Sequence, residues 1–462
     1  MTPPPYLSER HRSTYTAERP TDKERHDTAK GTATNTAALE HNPYRCPKKV
    51  TTLADQIRQS ATRTWSIMEV CGGQTNSIVR YGLDQLLTPA VQFVHGPGCP
   101  VCVTPETVIA QAIAIARRPD TILCTFGDML RVPTAETWGH NPNAPNNVAN
   151  SPETLLMAKA QGAQVQPIYS PIEAVSIAEG NPSKTVVFLA VGFETTTPAT
   201  ALAAISAKTK GLTNFYMLVS HVRVPPALAS LINTQEHHID ALLAAGHVCT
   251  VMGTHEYVPL VRQGRLPIIV TGFEPVDILY GVLAAITQLE DRRYALENQY
   301  PRYVSDSGND AAQRIIHQVY QTRDQDWRGL GKIPDSGWQL KPEYQHLDAT
   351  SLFTKKSLFK KDFQDMGQAP YSSSNNNTAS PYTYPAGATC QAGGVLTGKL
   401  KPNQCPHFGT RCQPKHPLGA PMVSDEGACA AYFHHRGTRQ IAPTVEKKIT
   451  PAIPTTTLPE HK

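Results

Sequence analysis

The sequence predicts an α/β protein: two parallel-sheet α/β domains followed by a small, loop-rich C-terminal domain. Three observations carry that expectation. Short apolar runs alternate with helix-like stretches between residues 46 and 300, the order expected of parallel sheets. Several of these runs close on Gly-containing turns, as at Cys71-Gly72-Gly73, Gly127-Asp128, Gly192-Phe193-Glu194 and Gly272-Phe273-Glu274. Past residue 300 the alternation fades, and residues 390–436 hold four cysteines among glycines and prolines. The expected divisions are a disordered arm at 1–45, α/β domains at 46–165 and 166–300, a C-terminal domain at 301–436 and a disordered tail at 437–462. The C-terminal domain carries a polar insertion at 345–388.

Taken in order, the arm is too polar to offset the entropy of ordering it. Residues 51–64 read as a short helix leading into a buried strand at Trp65–Val70. A second apolar stretch, Val91–Val94, leads into Gly98-Cys99-Pro100-Val101-Cys102. A helix over 105–117 and a strand over Thr121–Phe126 follow. The theme repeats with a strand at Thr185–Val191 and a helix from Pro198 to Lys208, which Thr197 is placed to cap. Strands are expected at Phe215–Ser220, His247–Met252 and Pro267–Thr271, with a helix opening at Pro225-Pro226 and another running to Arg292. The paired Gly-Phe-Glu turns hint at an internal repeat, with Phe in the core and Glu at a helix start. Beyond them come a helix over Asp310–Tyr320 and a loop containing Trp327-Arg328-Gly329-Leu330-Gly331. Lys355, Lys356, Lys360 and Lys361 in the insertion read as a solvated surface.

Bulk properties exclude several classes. A net charge of +5 over 462 residues leaves no block of like charge for nucleic acid or a membrane surface. No apolar run is long enough to cross a bilayer, and the N-terminus has neither a signal-peptide core nor the acid-poor composition of a transit peptide. A cytoplasmic protein is expected. There the ten cysteines read as metal ligands or redox groups rather than structural disulfides.

Three cysteine groups carry the chemistry. Cys71 ends an apparent strand beside a helix start, where open sheets place ligands and N–H dipoles favour a thiolate. Alone, such a cysteine is more often a packing residue. Cys99 and Cys102 have the spacing of a redox pair, or of half a metal site. Cys390, Cys405, Cys412 and Cys429 sit in a segment with little core of its own, which needs a staple. Four thiolates suit zinc or an iron–sulfur cluster; the lack of a close pair favours a [4Fe-4S] cluster, making this an iron–sulfur domain. Cys124 and Cys249 lie in apolar runs and are assigned to packing, and Cys46 has no evident role. There is no phosphate-binding loop and no nucleophile elbow.

Seven stretches together resemble the HypD family of [NiFe] hydrogenase maturation factors. They are Met68-Glu69-Val70-Cys71-Gly72-Gly73, Gly96-Pro97-Gly98-Cys99-Pro100-Val101-Cys102, Phe126-Gly127-Asp128-Met129-Leu130-Arg131-Val132-Pro133, Gly192-Phe193-Glu194-Thr195-Thr196, Gly272-Phe273-Glu274-Pro275, Trp327-Arg328-Gly329-Leu330-Gly331 and Met422-Val423-Ser424-Asp425-Glu426-Gly427. The resemblance implies a scaffold rather than a conventional enzyme. With a HypC-type partner it holds iron while two cyanides and one CO are attached, the cyanide coming from a HypE-type donor with HypF upstream. It implies that Cys71 holds the iron of the transient Fe(CN)2CO group together with a partner cysteine. It also implies that Cys99 and Cys102 are the redox pair, and that the four C-terminal cysteines carry a [4Fe-4S] cluster. The chain departs from the family at Gln74, where a histidine is expected; an amide cannot titrate near neutral pH. Ala392 and Pro421 stand where relatives often carry further cysteines, leaving four thiols for four cluster positions. The alternative reading is a stand-alone iron–sulfur thiol–disulfide oxidoreductase in which Cys71 is incidental.

Overall fold

Eleven strands can be named in the computed structural model, which describes residues 42–134, 153–234, 238–354 and 390–436. The expected tail, nearly all of the expected arm and most of the 345–388 insertion, with its four lysines, lie outside the described residues. The strands are β1 Trp65–Glu69, β2 Val91–His95, β3 Thr121–Thr125, β4 Gln164–Pro167, β5 Thr185–Gly192, β6 Phe215–His221, β7 Ala241–Ala245, β8 Ile268–Thr271, β9 Leu296–Asn298, β10 Tyr320–Trp327 and β11 Gly331–Leu340. The helices used below are α1 Pro47–Ser60, α2 Gly72–Arg80, α3 Pro100–Val103, α4 Glu106–Ala116, α5 Pro171–Gly180, α6 Thr197–Thr209, α7 Val224–Ile232, α8 Gly246–Met252, α9 Pro275–Glu290, α10 Asp310–Val319 and α11 Ala428–Arg436.

Two sheets are wholly parallel, as the alternation predicts. The first has the order β2-β1-β7-β8-β9 and the second β4-β3-β5-β6; β10 and β11 form an antiparallel hairpin. The first sheet draws its strands from residues 65–95 and 241–298, and the second from 121–221. Each sheet therefore uses chain from both sides of residue 165. Alternate side chains along a strand face opposite ways. In the first sheet Ile67, Phe93, Leu243 and Ile269 pack under α1 and α9. Met68, Val94, Leu242 and Val270 point the other way, into a core shared with Phe193, Leu228, Val248 and Trp327. In the second sheet Leu123, Val187 and Leu189 pack on α4, while Val186, Phe188 and Met217 pack on α5, α6 and Trp338.

Four local expectations are corrected. The stretch His247–Met252 is helix α8, and the strand is Ala241–Ala245 just before it. Ala-Leu-Leu-Ala-Ala carries no β-branched residue, yet it fills a strand buried on both faces, where packing outweighs intrinsic preference. Trp327–Gly331 is the tight end of the β10–β11 hairpin, whose polar outer face masks the strand pattern. Thr197 does not cap α6: its hydroxyl donates to the Phe193 carbonyl at 2.8 Å, and Thr196 is the cap residue. Of the two turn phenylalanines, Phe193 is buried but Phe273 is 37% exposed. The turns follow β5 and β8, one in each sheet, and their environments differ.

Candidate functional site

From β1 the chain passes to β2 on one side, leaves to build the second sheet, and returns to β7 on the other side of β1. The carboxyl end of β1 is thus a point where strand order turns, the crevice in which open α/β sheets bind ligands. Cys71 stands there as the residue before α2 and is 1% exposed. Its N–H donates to Glu69 Oε2 at 2.9 Å, and its Sγ lies 3.5 Å from His247 Nδ1, at the start of α8 beyond β7. Parallel registry sets Glu69 beside His95, so the ends of β1, β2 and β7 converge on one place.

Close backbone approach assembles the two cysteine loops. A Cβ on Gly98 would lie 2.3 Å from the Cys71 nitrogen, and the Gly72 N–H donates to the Gly98 carbonyl at 2.9 Å. Gly98 therefore lets the loop holding Cys99 run directly against the loop holding Cys71. Cys99 and Cys102 form a disulfide across the start of α3. The Cys102 N–H donates to Cys99 Sγ at 3.2 Å, and both residues sit in the core beneath Leu123, Val187 and Leu189. Ala420 and Val423 of the C-terminal segment share that core.

The electrostatics overturn one expectation. The N–H groups of Gln74 and Gly73 do favour a Cys71 thiolate, but burial outweighs them, and the Glu69 and Glu426 carboxylates add to it; the thiol is pushed well above its ordinary range. Without a metal, Cys71 is a neutral thiol. Burial also pulls the His247 imidazole down to about 4, so the ring is neutral at physiological pH with a nitrogen lone pair available.

Gln74 turns its amide nitrogen to the sheet. It is fully buried, and its amide nitrogen lies 3.4 Å from the Ala244 carbonyl, 3.2 Å from that of Thr271 and 3.2 Å from that of Gly272. These carbonyls end β7 and β8. The amide bolts α2 to the sheet, and three acceptors around one group fix the NH2 orientation.

The four C-terminal cysteines gather beside one another, near Val79 of α2. Cys412 is buried with Val79, Phe408, Met422, Ala431 and Tyr432, and Cys405 and Cys429 pack against that cluster. Gly419 faces Cys390, where a Cβ would come within 2.1 Å of Sγ. The Leu418 N–H donates to Cys412 Sγ at 3.4 Å. Burial pushes the Cys390 thiol up to about 11, and burial together with the other three thiols raises Cys429. Among the described residues, no three His, Cys, Asp or Glu side chains converge as the ligands of a single metal ion. Cys124 and Cys249 are buried packing residues, as expected, although Cys249 lies in α8 rather than in a strand.

Sequence reasoning gave no role to Glu69, His95 or His247. A buried carboxylate beside a cysteine in an apolar strand is a usable signal, since carboxylates are almost never fully buried unless partnered. His247 had none: it is 176 positions from Cys71 and only the sheet order joins them.

A model of the HypD family, described as "Hydrogenase formation hypA family", matches residues 48–436. The chain belongs to the HypD family. The hydrogenase maturation factor HypD of Rhodobacter capsulatus is 41% identical over 392 residues, covering 85% of this chain and 94% of that protein. The HypD of Escherichia coli is 41% identical over 401 residues, 85% of this chain and 97% of the relative. The hydrogenase expression/formation protein HupD of Azotobacter chroococcum is 38% identical over 403 residues, 86% and 96% respectively. In this HypD-family chain the matched span includes Cys71, the disulfide and all four C-terminal cysteines. Among its described residues no helix is long and apolar enough to cross a membrane.

Proposed function

We propose that this chain is a scaffold on which the iron of a [NiFe] hydrogenase centre receives its cyanide and CO ligands. The observation that carries the reading is the position of Cys71: a thiol at the switch point of a parallel sheet, with a neutral imidazole 3.5 Å away. Iron is the cargo. A soft thiolate suits iron carrying strong-field ligands. Because burial holds Cys71 protonated, iron binding must displace its proton, and capture then becomes linked to pH. A second thiolate comes from a small HypC-type partner, and cyanide from a HypE-type donor that HypF supplies.

Reductive attachment of cyanide consumes electrons. The Cys99–Cys102 pair is suited to supply them: the dithiol releases two electrons and two protons as it closes to the disulfide. The C-terminal quartet fits a [4Fe-4S] cluster. Its donors are all sulfur, a backbone N–H already points at Cys412, and the missing side chain of Gly419 lets the Cys390 sulfur pack directly on the backbone. Cys390, Cys405, Cys412 and Cys429 would hold the cluster, which when bound stores and passes single electrons.

Cys71→Ala is the deciding variant. Purified anaerobically with its partner, the wild type should show infrared bands of metal-bound cyanide and CO, while the variant should lose those bands and retain the iron of the quartet. A stand-alone thiol–disulfide oxidoreductase would work unchanged without Cys71. Colourless wild-type protein with one zinc per chain would sink the cluster assignment.

A further inference from the structure

Glu69, at the end of β1, is fully buried and holds three donors: the Cys71 N–H at 2.9 Å, the Thr75 hydroxyl, and His95 Nδ1 at 2.7 Å. The other ring nitrogen of His95 lies 3.2 Å from the Tyr432 hydroxyl, and the two rings meet edge to face. A neutral His95 that donates Nδ1–H to Glu69 accepts from the Tyr432 phenol at Nε2, so the ring can bridge the two residues. Burial holds that phenol protonated, so it stays a donor. Tyr432 is on α11, one turn beyond Cys429. Two further contacts tie this segment to the Cys71 loop. Asn76 donates to the Asp425 carbonyl at 3.2 Å, and Glu426 fills the space beside Gly72.

We propose that Glu69, His95 and Tyr432 form a strut of positioning residues, running from the Cys429 helix to the backbone of Cys71, that holds the Cys71 loop closed. The strut meets Cys71 at its backbone N–H. It acts by fixing the loop, so each link lost makes loop opening easier. A corollary rests on the cluster reading above: whatever orders Cys429 also tightens Cys71, which makes the thiol accessible when the quartet is empty and guarded when it is filled.

Alkylation of the full-length protein by iodoacetamide, followed residue by residue by mass spectrometry, tests the strut. Tyr432→Phe removes one oxygen, and His95→Leu removes the central link. Each should speed alkylation of Cys71 roughly tenfold, the scale of one lost buried hydrogen bond to a polar partner. Cys124 and Cys249, buried elsewhere, should not change. His95→Gln, which can still donate to Glu69, should recover part of the protection. Unchanged Cys71 reactivity in both disruptive variants overturns the strut, and so does a common rise at all three cysteines, which would be general loosening. Iron and zinc are measured in the same samples. Iron-free wild type would fault the cluster assignment and its corollary, while the variant rates still decide the strut.

Discussion

Glu194 illustrates how one residue sets a pH response. It is buried at the end of β5, where one oxygen accepts the Val224 N–H at 2.8 Å. Among the described residues the other oxygen has no hydrogen-bond partner. Burial raises its pKa to about 7, against the pull of backbone N–H groups and Arg223. The folded chain therefore keeps a proton that the unfolded chain releases near pH 4.5. The stability this gives is fully present below that pH and is lost as pH rises through 7. Glu194→Gln cannot titrate. Measured by denaturant unfolding across pH 4.5–8, the wild type should lose up to about 3 kcal/mol relative to this variant. Parallel pH profiles would contradict the assignment.

At the scale of elements, the site depends on turns that bring backbones into contact. Gly98 is the clearest case, since any Cβ there meets the Cys71 nitrogen. Gly98→Ala must push the two cysteine loops apart at a cost of about 1–3 kcal/mol. It should also break the Gly72–Gly98 hydrogen bond. Amide exchange of Gly72, followed by NMR or mass spectrometry, should speed up while the strands of the second sheet stay protected. Gln74 works at this scale too. Because its amide serves carbonyls ending β7 and β8, its role here is to seat α2 rather than to handle protons for Cys71.

Over the whole molecule, the two sheets and the C-terminal segment differ in what holds them. Each sheet is sandwiched between apolar layers, whereas the segment around Cys412 has one small cluster of its own and, among the described residues, reaches the larger cores only through Leu396, Ala420 and Val423. A segment with so little core gains most from a metal staple. Stripping iron from anaerobically purified protein with a chelator should raise hydrogen exchange across residues 390–436, with the sheets largely unaffected. Uniform protection before and after chelation would mean that the cysteines are not a staple.

What the sequence by itself determined is the local and the compositional. It carried the parallel α/β class, because apolar runs alternate with helical ones. It also carried β1, β2, β3, β5, β6 and β8, though not the short strands β4 and β9, and the three cysteine groups, because thiols in Gly- and Pro-rich turns stand out. It misplaced β7, because an Ala-Leu run looks helical until both its faces are buried. It hid the β10–β11 hairpin behind polar residues. Only the tertiary structure decided which strand ends meet. Inserting the second sheet between β2 and β7 is what brings His247 to Cys71. Stacking α11 on α2 is what joins Tyr432 to His95. Burial, likewise a tertiary property, turned Cys71 from the expected thiolate into a neutral thiol, because removing water from a charge outweighs the pull of a few N–H dipoles.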